Sequence, residues 1–385
     1  MRKRLDEIAD VTKLAGFEFT KYMEYVDDGE IIAIRALNLK EGRLVLDDVK
    51  RITKNVSEKL PRSQLHKYDI VLSYTGTIGE AAQIMEEGKY HLAPNVAKVV
   101  PKCDVVDPRY LFHYICSREF KQQMKNYAHG STQPTVPMAT IRELTVPVYD
   151  YETEKKIANI LTSISDKIEK NMEVNENLAD QIQAIYSNEF EPTTHTPSGV
   201  LADICSYSAD KIPVSELSVS TYFSTENMQP NKMGSVDATS LPSIVQTTRC
   251  HKGDVLISNI RPYFKKIVYV TDDSCGCSTD VLCFVPKEDQ YSAFLFGTLY
   301  MDRFFDYMVA GSKGTKMPRG DKQQIMNYPV VLPDKESLDL FNGLIAPMLD
   351  QIATKRTESN RLAALRDALL PKLMSGELDV SALNL

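Results

Sequence analysis

The chain has 385 residues, enough for two domains with cores of their own, and its 43% hydrophobic and 25% charged residues exclude a disordered or fibrous protein. The formal net charge of −7 is unevenly placed: residues 1–150 carry 22 basic against 21 acidic side chains and 192–333 carry 13 against 14, whereas 151–191 carry 4 against 9. The two larger segments are therefore nearly neutral, and any polyanionic partner would have to meet a local basic face or be bound with help from other subunits.

Arg2, Lys3 and Arg4 are followed by Asp6, Glu7 and Asp10 with no apolar run behind them, so no secretory signal is expected. No uninterrupted apolar stretch approaches the roughly 18 residues of a membrane span. Seven cysteines, an odd number in a long chain, suit a reducing cytoplasm better than a disulfide framework.

Short apolar or β-branched runs at Ile31–Ile34, Asp69–Ser73, Ala81–Met85 and Ala97–Val100, punctuated by Gly and Pro, predict strands of a curled mixed sheet. Pro108–Asn126 is predicted helical, with Asp107 as its N-cap and Tyr110, Leu111, Tyr114, Ile115 and Phe120 on its apolar face. Glu152–Glu189 then places Ile157, Leu161, Ile164, Ile168, Leu178, Ile182 and Ile185 at a 4-3-4-3 spacing once Asn171 and Asn175 join the seam. That is a coiled-coil stripe, and it needs a partner helix.

Pro192–Gly199 is a polar linker, after which the pattern starts again. Lys67-Tyr68-Asp69-Ile70-Val71-Leu72-Ser73 returns as Lys252-Gly253-Asp254-Val255-Leu256-Ile257-Ser258, and Val99-Val100-Pro101-Lys102 returns at the same offset as Phe284-Val285-Pro286-Lys287. Leu5-Asp6-Glu7-Ile8 matches Leu201-Ala202-Asp203-Ile204. A second helix is predicted at about Gln290–Val309. Near the end, Phe341, Ile345, Met348, Ile352, Leu362 and Leu369 reproduce the stripe in the same register, again with a polar middle at Lys355 and Ser359. The expected fold class is α+β: two tandem copies of one unit, each followed by a long helix. The boundaries expected are 1–150 and 192–334 for the two units, 151–191 for the first long helix, and 335–385 for the second helix and tail.

No phosphate-cradling Gly-rich loop, dinucleotide fingerprint or nucleophile elbow is present, so neither a catalytic centre nor a cofactor is expected. Cys250, His251, Cys275, Cys277 and Cys283 lack metal-site spacing and read as ordinary thiols. What remains are polar loops at matching places. In the first copy these carry Tyr74, Thr75, Thr77, Ser131, Thr132 and Gln133; in the second they carry Asn259, Arg261, Tyr263, Lys265, Lys266, Lys313 and Lys316. Hydroxyls, amides and cations of this kind can donate to phosphates or read base edges. The same residues also suit turns in which Gly accepts positive φ and hydroxyls cap the chain. Divergent loops on a repeated scaffold are what two readers of different sequence would need.

Tyr68–Ser73 leading into Gly76-Thr77-Ile78-Gly79, the run from Gly130-Ser131-Thr132-Gln133 through Val148 to Ile157-Ala158-Asn159-Ile160-Leu161, and Leu365-Arg366-Asp367-Ala368-Leu369-Leu370-Pro371-Lys372-Leu373-Met374-Ser375-Gly376-Glu377-Leu378 together resemble the specificity subunits of type I restriction-modification systems. Ser224-Thr225-Glu226-Asn227-Met228 with Asn259-Ile260-Arg261-Pro262-Tyr263 is similar to one recurring type of recognition domain in that family. The resemblance implies a non-catalytic subunit whose two target-recognition domains each contact one half of a split site in double-stranded DNA. It further implies an antiparallel helix pair with pseudo-two-fold repetition, two adenine-methylating subunits as partners, and motor-nuclease restriction subunits joining them. A helix of about 30 to 38 residues spans roughly 45 to 57 Å, sufficient for half-sites roughly 34 to 36 Å apart. The other reading of the residues is a helical scaffold whose loops bind peptides or RNA.

Overall fold

The computed structural model describes residues 1–130, 133–192 and 194–381. It divides into two units: Met1–Lys167 with the chain from Leu362 onward, and Ile168–Arg361.

In unit 1, one sheet has the order Ala9–Lys13, Val96–Pro101, Ile70–Ser73, Ala81–Gln83, all antiparallel. A second runs Lys50–Ile52, Ile31–Ile34, Tyr90–Leu92, Gln64–Leu65, with its central pair parallel. The strand Ile70–Ser73 is buried on both faces, which is why it reads as a continuous apolar run. Ile70 and Leu72 enter a core shared with helices, while Val71 packs with Ile32, Ile34 and Leu92 of the second sheet.

Unit 2 repeats this arrangement. Cys205–Tyr207, Val281–Pro286, Val255–Ser258 and Ile267–Tyr269 form the first sheet; Lys211–Pro213, Gln246–Cys250, Cys275–Cys277 and Tyr222–Phe223 form the second, again with one parallel pair. Val255 and Ile257 face the helical core and Leu256 the other side.

The repeated Lys-x-Asp turn has one physical job in both units. Asp69 accepts the backbone N–H of His66 at 2.8 Å, and Asp254 that of His251 at 2.8 Å. Tyr68 and Gly253 stand at φ 73° and 95°, the left-handed region in which Gly is unstrained and Tyr is not. The surroundings of the two aspartates differ. Buried Lys98 pairs with Asp69 at 3.1 Å, but the strand position opposite Leu256, which corresponds to that of Lys98 opposite Val71, holds Cys283. Deprived of a cation, Asp254 is pushed by burial, and next by the neighbouring Cys283 sulfur, up to about 8.

Helix Pro108–Asn126, predicted as one element, is two: Pro108–Cys116 and Arg118–Asn126. Ser117 stands between them in extended conformation, and its hydroxyl accepts the N–H of Phe120 at 3.1 Å, so it begins a new helix. The predicted second-copy helix likewise breaks into Ser292–Tyr300 and Asp302–Ala310 at the extended Met301.

The long helices span Tyr151–Phe190 and Lys335–Ser375. Within unit 1, Ile157, Ala158 and Leu161 near the start of the first share a core with Leu373 and Met374 at the end of the second. Within unit 2, Ile182, Tyr186 and Phe190 near the end of the first share a core with Phe341, Ile345 and Leu349 near the start of the second. Start meets end in each case, so the pairing is antiparallel. Asn171, 2% exposed, donates to Glu358 at 2.9 Å and Ser359 at 3.3 Å. Of the remaining stripe residues, Ile352 is buried and Ile164, Ile168, Leu178, Ile185, Met348, Leu362 and Leu369 are half-buried. In unit 2 Ala179, Tyr186, Phe190 and Leu349 are also buried, and they lie off the two-per-heptad template because these helices also pack on the sheet domain.

No described helix is long and apolar enough to cross a membrane. Among the described residues no group of three His, Cys, Asp or Glu is placed to hold a metal, and all seven cysteines are free thiols.

Candidate nucleic-acid interface

In unit 1 the strand Ile70–Ser73 runs into a tight loop. Gly79 donates to the Ser73 carbonyl at 2.9 Å and Ser73 to that of Glu80 at 2.7 Å, closing the hairpin to Ala81–Gln83. The second polar loop crosses over it. Gly76 N–H donates to the Pro134 carbonyl at 3.0 Å, Val136 N–H to that of Tyr74 at 2.9 Å, and the Thr135 hydroxyl meets that of Thr75 at 3.3 Å. His129 and Thr135 pair across the base of this second loop.

Unit 2 places its loops in the same way. Thr75 bridges Thr135 and His129 bridges Thr135; at the positions that the repeat makes equivalent, Ile260 bridges Arg319 and Lys313 bridges Arg319. Arg261 N–H donates to the Pro318 carbonyl at 2.8 Å, and Gly320 N–H to that of Asn259 at 3.3 Å. The anchoring serines match too: Ser73 Oγ bonds the Thr75 carbonyl at 3.3 Å and Ser258 Oγ that of Ile260 at 3.2 Å. The two polar loops that the sequence pairs by position are thus one surface in each unit, knitted through the backbone.

The side chains divide by exposure. Tyr74, Thr75 and Asn259 are buried, at 8, 8 and 9% exposure, so they line the floor of the surface and do not project from it. Arg261 is half-buried, with its Nε enclosed and without a partner. Thr77, Gln133, Tyr263, Lys313 and Lys316 are exposed, and Lys265 and Lys266 are half-buried. Ser131 and Thr132 lie outside the described residues.

Four cations around these loops of unit 2 are held by acids. Asp302 binds Lys232 at 2.7 Å and Lys265 at 3.0 Å; burial would raise its carboxyl, yet the two ammonium groups keep it below the ordinary range. Asp321 pairs with Lys313 at 2.6 Å and is lowered first by that contact, then by the N–H groups of Gln324 and Gln323. Asp280 pairs with exposed Arg319 at 3.0 Å. Carboxylates of this kind fix the geometry of a basic surface and release the cations when a polyanion competes. Arg319, Lys232 and Asp302 were not among the expected site residues. Arg319 was accessible in principle, since it takes the place of Thr135 in the matching loop, but Lys232 and Asp302 join only through tertiary contact.

Comparison with known proteins places these loops in context. Residues 1–179 match the family model for the Type I restriction modification DNA specificity domain. Over 411 aligned residues the chain is 23% identical to the Methanocaldococcus jannaschii type I restriction enzyme MjaIX specificity subunit, covering 98% of this chain and 94% of that one. It is 19% identical to the Haemophilus influenzae HindI specificity subunit, covering 75% and 81%. The crystal structure of the type I restriction-modification S subunit from M. genitalium shares the fold, with a TM-score of 0.58 at 13% identity over 97% of this chain and 95% of that chain.

Proposed function

We propose that the chain is a specificity subunit of the type I restriction-modification family, similar to those relatives, and that its two units each read one half of a split duplex DNA site. It is a non-catalytic DNA-specificity subunit; the bond chemistry of such systems resides in other subunits. The observation that carries the two-reader assignment is the pair of cross-bridged loops, built on the same backbone contacts in both units but faced with different side chains. Unit 1 presents Thr77 and Gln133; unit 2 presents Tyr263, Lys313, Lys316 and Arg319. The loops of unit 1 present a hydroxyl and an amide and those of unit 2 present cations and a tyrosine, so the half-sites they read differ.

Two adenine-methylating subunits are the proposed partners on the long helices, with restriction subunits joining the assembly. The acidic excess of residues 151–191 favours a protein contact there over a phosphate contact. The test is duplex binding by the chain co-assembled with its methylating subunit. A preference for one split sequence over scrambled duplex of equal length, together with a steep loss of affinity with salt, is expected. Equal binding of both duplexes would contradict sequence reading.

A further inference from the structure

Between Ser258 and Ile267 the chain makes a tight turn. Arg261 and Lys265 both occupy the left-handed region, at φ 50° and 51°, and bracket the single 3-10 turn Pro262–Phe264. Two non-glycine residues in that conformation are costly and persist only where their surroundings hold them. Here they are held: Arg261 N–H donates to Pro318, Phe264 N–H to Arg261 and Lys265 N–H to Pro262, while the carbonyls of Phe264 and Lys265 accept from Asn231 and Lys232 at 2.8 and 2.9 Å. The rigid turn lifts two aromatic rings into solvent. Tyr263 is 48% and Phe264 38% exposed, their centroids 4.8 Å apart and planes tilted by 56°. Two lysines follow them in the chain. The Lys266 ammonium lies 6.0 Å from the centre of the Phe264 ring, and Lys265 follows directly in the chain. At the equivalent positions of the repeat unit 1 has Ile78 and Gly79, and no exposed aromatic residue occurs between Tyr74 and Glu80.

We propose that Tyr263 and Phe264 form a wedge that enters a base step of the half-site read by unit 2 and unstacks it. The proposal rests on the reading of this chain as a duplex reader and adds a deformation that only one unit performs. Apolar side chains inserted between base pairs kink the duplex, and flexible pyrimidine–purine steps yield most readily. A preorganised pair loses little entropy on insertion, and Lys265, once Asp302 releases it to a competing polyanion, supplies a cation beside the rings.

The test uses the assembled complex of this chain with its methylating subunit and duplexes carrying its split site, as mapped by adenine-methylation sequencing. 2-Aminopurine replaces one base at a time across the half-site of unit 2, leaving the methylated adenine untouched. Wild type should raise the fluorescence at one step only. Y263A/F264A should abolish that rise and weaken binding by roughly tenfold to a hundredfold, and F264L, still an apolar wedge, should keep much of the rise. Both side chains are exposed, so these variants are expected to fold, and assembly with the methylating subunit serves as the check. Loss of assembly in the alanine variant would put the rings at a protein interface and overturn the wedge. So would specific binding with no fluorescence change at any position in wild type. Failure of wild type to prefer any split-site duplex, or to yield one on mapping, would overturn the duplex-reading assignment as well.

Discussion

Removing the Lys98 ammonium should unfold unit 1 locally, and the cost can be worked from its surroundings. The side chains of Lys98 and Asp69 are 8 and 4% exposed, the ammonium lies 3.1 Å from the carboxylate, and it also donates to the Gln64 carbonyl at 2.6 Å. Lys98→Met keeps the aliphatic stem but leaves Asp69 as an unpaired buried charge. Breaking such a pair costs about 3 to 5 kcal/mol, whereas replacing both partners is close to neutral. Asp69→Asn retains the oxygen that accepts from His66, so the double variant K98M/D69N should recover most of the loss. The unfolding transition of a two-unit chain is not a single event, so amide exchange is the better assay. Exchange at Val71 and Leu72 should accelerate by between about a hundredfold and a few thousandfold in K98M, at about 1.4 kcal/mol per decade. Leu256 and Ile257 of unit 2 serve as the internal control and should not change. An acceleration below about fivefold, or equal losses in the single and double variants, would refute the view that the unpaired charge is the damage.

Asp254 offers the converse case. Burial and then the Cys283 sulfur raise it from 3.8 to about 8, so the folded unit keeps a proton that the unfolded chain releases; this contribution is full below about 3.8 and is lost as pH rises toward 8. Asp254→Asn should flatten the decline of unit 2 stability between pH 4 and 8, and an unchanged slope would show that the carboxyl is already ionised there. Arg319→Ala should weaken recognition of one half-site by about 1 to 3 kcal/mol if the guanidinium reads a base, and equal losses on all sequences would make it a phosphate contact. Exposed Lys316 is expected to be such a phosphate contact, and Lys316→Ala should lower the salt slope of binding by about one without altering specificity. Asn171→Leu should raise the thermal stability of unit 2 by on the order of 1 kcal/mol, because a polar seam residue trades stability for register; a fall would mean that its bonds to Glu358 and Ser359 are net stabilising.

The duplication, the strands around Asp69 and Asp254 and the two long helices were legible because each leaves a periodic or repeated trace in one dimension. The helix breaks at Ser117 and Met301 were not, since the apolar period runs on across both residues and only the extended backbone interrupts it. The polar loops stand out in the sequence, but the burial of Tyr74 and Thr75 does not. Pro134, Thr135 and Val136, distant along the chain, pair with the backbone of Tyr74, Thr75 and Gly76, and those contacts exist only in the folded unit. The ion pairs that fix Lys232, Lys265 and Arg319 have the same origin. Tyr186 and Phe190 were missed for a different reason: a two-residue seam template omits the flank by which each helix meets its sheet domain.

Sequencing of methylated adenines in a cell carrying this chain with its methylating subunit, compared with a cell lacking only this chain, tests sequence reading most directly. A bipartite motif, with two unlike halves, that disappears with the chain is expected. Identical methylation in both cells, with the complex shown to assemble, would contradict it.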